Sequence, residues 1–205
     1  MPNWCSNTLH ISGDAGKVKS FFNNGIKDNV WKMSLYFPMP IELETTTSPS
    51  KESNEDLIKR FGHDNWYDWR CENYGTKWDA DSDNYGDDYI HFETAWSPPL
   101  PWLQKVAKDY PELTFRLDYS EEGMQFGGTC VALHIDGEFA SANQFCDLVM
   151  QDEYGVSYSW NGEHDRYIND DTGEEVAWEQ FEGYEHNPLE EWSTEEFIKT
   201  YIHEL

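Results

Sequence analysis

Ten tryptophans, twelve tyrosines and eleven phenylalanines constrain this chain more tightly than its charge does. Rings in this number demand a packed interior to bury them. The net charge of −26 would by itself suggest a disordered polyanion, a class poor in aromatics, and the composition excludes it. With 205 residues the chain can fold as one large domain or two small ones, each with a real core. Between Trp69 and Pro99 two aromatic segments flank an acidic insert. That insert runs from Asp79 to Glu93 with six carboxylates and no Lys or Arg. It also divides the charge: residues 1–78 hold 10 acidic and 9 basic side chains, whereas residues 79–205 hold 30 and 5.

Periodicity predicts alternating strands and helices. Trp4 to Ser12 reads as a strand tied into a sheet. A helix capped by Asp14 then carries Val18, Phe21, Phe22 and Ile26 inward and stops at Asn24-Gly25. Trp31 to Phe37 reads as a short strand ending at Pro38-Met39-Pro40, and residues 42–54 as an exposed loop. Ser53 with Asp56 signals a second helix, closed by Gly62. Tyr89 to Phe92 is a strand, and Ser97-Pro98 opens a third helix with Leu103, Val106, Ala107 and Tyr110 buried. Strands over 113–119 and 126–135 follow. A capping box at Ser141–Gln144 predicts a helix burying Phe145, Leu148 and Val149. Asn161-Gly162 joins two strands into a hairpin, and Ser193 with Glu196 boxes a last helix. The order is that of a split βαβ unit. The expected fold class is α+β: a ferredoxin-like antiparallel sheet over residues 1–137, with an insertion at about 42–88, and an acidic α+β C-terminal extension over 138–205 packed on the core.

Trp4-Cys5, Pro38-Met39-Pro40, Glu72-Asn73-Tyr74-Gly75-Thr76-Lys77-Trp78 and Thr94-Ala95-Trp96-Ser97-Pro98-Pro99 together resemble the YubB-type ferredoxin-like family. Its members are small proteins carried by phages, prophages and conjugative plasmids. The resemblance covers roughly residues 1–137. It implies a mobile-element protein of ferredoxin-like fold and transfers no catalytic residue.

Candidate sites divide by charge. Asp81, Asp83, Asp87 and Asp88 crowd oxygens as a calcium loop does. Tyr85 and Phe92, however, stand where a helix–loop–helix calcium loop needs an oxygen ligand, so a solvated loop is the expectation. The histidines are spread out and the four cysteines show no close pair, so neither zinc nor any other cofactor is expected. No phosphate-binding loop, nucleophile elbow or Cys–His arrangement is present, and the chain does not read as an enzyme. A basic recognition surface for RNA is also missing, so direct nucleic-acid binding is not expected. Without an apolar run of roughly 20 residues or a signal segment, the chain is expected in the cytoplasm, away from membranes; the resemblance makes that a bacterial cytoplasm.

Two readings remain. In the first, carboxylates bind a basic surface of a host nucleic-acid-handling protein, as a nucleic-acid mimic. The residues are Asp79, Asp81, Asp83, Asp87 and Asp88, then Glu163, Asp165, Asp170, Asp171, Glu174, Glu175, Glu179 and Glu182. Averaged over residues 79–205, the charge density falls roughly two- to threefold short of duplex DNA, so mimicry requires the carboxylates to share one face. In the alternative, Arg70, Glu72, Asn73, Lys77, Trp78 and Trp96 form a small-molecule or nucleotide site or an enzyme's polar centre. Against it stand local ion pairs, Arg70 with Glu72 or Lys77 with Glu93, under an aromatic lid.

Overall fold

The structure, a computed structural model, describes residues 3–147, 149–151, 157–161, 166–176, 184–186 and 193–202. Strand β1 (Trp4–Gly13) leads into α1 (Ala15–Gly25), whose cap Asp14 accepts from the backbone N–H of Gly16 and Lys17. A two-residue turn with Asp28 and Asn29 at positive φ links β2 (Ile26–Lys27) to β3 (Val30–Lys32). The strand expected over Trp31–Phe37 ends at Lys32 instead. A 3-10 turn, Met33–Leu35, replaces its second half, closed by the Tyr36 amide donating to the Met33 carbonyl at 3.3 Å, and Trp31 and Met33 are both fully buried.

Three helices precede β4 (Asp81–Ser82): α2 (Ile41–Glu44), α3 (Glu55–Phe61) and α4 (Trp66–Tyr74). The first turns the start of the expected loop into one helical turn. Helix α3 is capped by Asn54, one residue after the predicted Ser53. Then come β5 (Tyr89–Ala95), α5 (Leu100–Asp109), β6 (Leu113–Glu121), β7 (Phe126–Ile135) and β8 (Glu138–Asp147). Helix α5 starts at Leu100, two residues after the Pro98 that Ser97-Pro98 suggested as its first, with Pro101 in its first turn.

The main sheet is antiparallel with order β5-β1-β6-β7-β8. Strands β5 and β6, joined by α5, flank β1, which runs antiparallel to both. This is a split βαβ unit, and the fold is ferredoxin-like. Alternation along β1 sends Cys5, Leu9 and Ile11 to the helical side, where they meet Phe21, Trp102, Leu103 and Phe115, all buried. Trp102 donates from its indole to the Met33 carbonyl at 3.0 Å, pinning α5 to the turn after β3. All four cysteines are free thiols.

The helix expected from Ser141 is a strand. Asp136 and Gly137, both at positive φ, form the tight turn that folds β8 back along β7, and ten residue pairs form from Ile135↔Glu138 to Phe126↔Asp147. The capping signal is local and loses to this ladder. Val131, Leu133 and Ala140 face away from α5 and receive Phe197 and Ile202 from α6 (Thr194–Tyr201). The capping box of α6 forms as predicted.

A second sheet, β12-β11-β10-β9-β13, is built from β9 (Val149–Gln151), β10 (Ser157–Asn161), β11 (Arg166–Asn169), β12 (Glu175–Val176) and β13 (Tyr184–His186). The predicted hairpin strands pair antiparallel as β10 and β11. Asn161, expected in the turn, is instead the last residue of β10, opposite Arg166; Gly162, Leu148, Trp192 and Leu205 lie outside the described residues.

Candidate functional site

The two aromatic segments that flank the acidic insert meet in space. Helix α4 ends at Gly75, whose φ of 80° is left-handed, and a Cβ there would come within 2.5 Å of Pro101 Cδ. This turn brings Thr76 against the end of β5, where its hydroxyl donates to the Ala95 carbonyl (3.1 Å) and accepts from the Ala95 amide (3.0 Å). Ser97 donates to the Gly75 carbonyl at 2.6 Å. Thr94 donates to Ser97 and accepts from the buried Asn7 amide. These bonds hold Trp96 at φ 66°, a conformation costly for a bulky residue that persists only where its surroundings over-determine it.

The result is an exposed aromatic row. Trp78 lies 6.0 Å from Trp96, with rings 30° apart, and 5.9 Å from Trp4, which is 47% exposed. Lys77 places its ammonium 4.9 Å from the Trp78 ring, 5.3 Å from Trp96 and 5.8 Å from Tyr67. An ammonium over aromatic faces is attracted by their quadrupoles, and Lys77 forms no ion pair among the described residues, Glu93 included.

The other residues of the alternative site disperse. Glu72 pairs with His63, not with Arg70. Asn73 donates to the Trp69 carbonyl and accepts from Lys105. Arg70 turns to a cleft of about 360 Å³ shared with Met39, Glu44, Trp66 and Trp78, its guanidinium 5.6 Å from the Trp66 ring. Of the six predicted residues, Lys77, Trp78 and Trp96 come together, and Arg70 shares only the lining of one cleft with Trp78.

The carboxylates separate as well. Asp79 is half-buried at the edge of the β4 segment and accepts from the Ser34 amide at 3.0 Å; burial holds its carboxyl above the usual range, although the Ser34 bonds and Arg70 pull the other way. Asp81, Asp83, Asp87 and Asp88 are exposed along the β4–β5 connection and, like Glu93, form no ion pair among the described residues. Asp170, Asp171, Glu174 and Glu175 ring the β11–β12 turn of the other sheet, where the Asn169 side chain accepts from Asp171 and Thr172. Glu163, Asp165, Glu179 and Glu182 lie outside the described residues. Among the described residues no group of three or more His, Cys, Asp or Glu side chains could hold a metal ion.

Sequence reasoning missed Trp4 as a site residue. It stands between two hollows of about 410 and 420 Å³; Glu93 lines both, Asp81, Asp83 and His91 line the second, and Glu122 lines the first. Glu121, beside it in sequence, is buried and caps the β6–β7 turn by accepting from Gly123 and Met124. No local pattern places residue 4 beside residues 78 and 96; the β1–β5 register does, through Trp4↔Ala95.

Residues 73–141 match a family model described as a ferredoxin-like domain in Api92-like protein. No curated protein and no solved structure matches the chain. The matched segment contains the Gly75 turn, the acidic connection, β5, α5, β6, β7 and the start of β8. Among the described residues no helix is long and apolar enough to cross a membrane.

Proposed function

We propose that this chain acts by binding another protein, with Trp4 and the unneutralised carboxylates beside it docking on a basic surface that normally handles nucleic acid. The observation that carries the reading is the acid-rimmed tryptophan. Trp4 is half-exposed, fixed by strand register, and bordered by Asp81, Asp83 and Glu93, none of which has a cationic partner among the described residues. Partly exposed tryptophans are favoured anchors of protein interfaces, and an arginine of a partner can both stack on the indole and pair with a carboxylate. Carboxylates with no internal counter-charge speed encounter with a basic surface and confer salt sensitivity on it.

Local docking is favoured over broad imitation of a duplex. The net charge of −26 over 12,095 Å² is roughly one charge per 470 Å², against about one per 100 Å² for duplex DNA. Asp79 is partly buried against the Ser34 amide, and the other described candidate carboxylates divide between the β4–β5 segment and the β11–β12 turn. The resemblance to phage and plasmid proteins suggests a bacterial defence nuclease or restriction enzyme as the target class, and that step rests on the resemblance alone.

Capture from bacterial lysate at about 50 mM and about 500 mM salt tests the reading, because surface electrostatics weaken steeply across that range. A nucleic-acid enzyme should be retained at low salt by the wild type and released by Trp4→Ala or by Asp81→Lys with Asp83→Lys. Retention that ignores both salt and these substitutions would sink the proposal.

A further inference from the structure

We infer that the cleft in front of Arg70 binds a planar, hydrogen-bonding heterocycle, for which guanine carried by a mononucleoside is the best chemical match. The inference rests on Arg70 and Glu44, which the Trp4 docking reading does not use, and does not depend on that reading, although Trp78 borders both sites.

Arg70 carries five N–H donors, yet it makes no hydrogen bond among the described residues; the Asp79 carboxyl feels its charge without bonding to it, and its Nε is buried without an acceptor. Buried donors left unpaired are rare in folded proteins and each calls for an explanation. Here the guanidinium leans on the face of Trp66 and borders a cleft of about 360 Å³ whose other walls are Met39, Glu44 and Trp78. That volume sits at the small end of small-molecule sites, too small for a folded partner and sufficient for a base with its sugar. Two indoles and a thioether offer flat, polarisable walls of the kind on which nucleobases stack.

The polar groups narrow the class. Arg70 can only donate, and an ionised Glu44, exposed and without an ion pair among the described residues, can only accept. A phosphate or carboxylate would satisfy Arg70 but meet the like charge of Glu44. An ammonium ion would do the reverse. A neutral ring with acceptors on one edge and donors on the next satisfies both. Guanine has this pattern, with O6 and N7 accepting from arginine and N1–H and N2–H left to donate to a carboxylate. Adenine pairs its N7 acceptor with an N6 donor and suits an amide side chain better. The charge of −26 opposes each added phosphate, which favours a nucleoside over a nucleotide or a strand.

Calorimetric titration of the full chain with guanosine, with adenosine and with a short single-stranded oligonucleotide containing one guanine tests this. Guanosine should bind, adenosine should bind on the order of tenfold more weakly, and the oligonucleotide should bind more weakly than guanosine, the more so at low salt. Arg70→Met and Glu44→Gln should each weaken guanosine binding by on the order of 5- to 150-fold. Glu44 is exposed, so Glu44→Gln should melt as the wild type does, which separates a lost contact from a lost fold even if Arg70→Met unfolds. The inference is overturned by no guanosine binding to a cooperatively melting wild type, by equal affinity for adenosine, by tighter binding of the oligonucleotide, or by unchanged affinity in Glu44→Gln.

Discussion

Single residues in this protein take their chemistry from depth, and composition does not record depth. Asp79 reads in sequence as one of six surface carboxylates, but the structure turns it toward the Ser34 amide and raises its pKa by burial. A carboxyl with a raised pKa holds its proton more tightly folded than unfolded. Its ionised form therefore costs stability at neutral pH, and that cost fades as pH falls through the raised value. Asp79→Asn keeps an acceptor for Ser34 and removes the buried charge. It should unfold at higher denaturant than the wild type at neutral pH, with the difference closing on acidification; a less stable variant at neutral pH would contradict the assignment. Burial also pushes the Cys5 and Cys130 thiols up to about 12. Thiolates, not thiols, attack alkylating reagents. Mass spectrometry after iodoacetamide treatment should find Cys5 and Cys130 unmodified in the native protein and modified once denatured. Cys71 and Cys146, both partly exposed, should react first.

At the scale of elements, legibility follows the reach of the signal. Helices α1 and α6 and strand β5 are announced by caps and periodicity within a few residues of themselves. Helix α4 is missed because Arg70 and Asn73 fall within the arc of Trp66, Tyr67, Trp69 and Tyr74, so polar residues interrupt its aromatic side and blur the period. Strand β8 is misread because Ser141 and Gln144 imitate a capping box, whereas the deciding interaction is pairing with residues 126–135. The capping box of α6 yields a direct test, since the Ser193 hydroxyl accepts from the Glu196 amide at 3.2 Å and donates to its carboxylate at 2.7 Å. Ser193→Ala should cost about 1 kcal/mol, and hydrogen exchange should locate the loss in residues 194–201. Unchanged protection there would mean that Phe197 and Ile202 alone hold the helix on β7 and β8.

Across the whole molecule, the charge of −26 works against compactness, and the aromatic core works for it. Raising salt from about 0.15 M to about 1 M shortens the screening length from about 8 Å to about 3 Å and should relieve this repulsion. The melting temperature should climb by a few degrees, the response expected of about 1–2 kcal/mol in a chain of this size. A salt-independent melting temperature would mean that the carboxylates lie too far apart to repel. Periodicity, caps and summed charge are local or additive properties, so the fold class, the order of strand and helix in the split βαβ unit and the large excess of carboxylates are legible in the residues alone. Tertiary contacts were needed to bring Trp4, Trp78 and Trp96 into one row, to line one cleft with both Arg70 and Glu44, and to draw Asp79 partly out of solvent toward Ser34. Those outcomes depend on strand register and on left-handed turns joining residues up to ninety positions apart, and no local pattern encodes such distances.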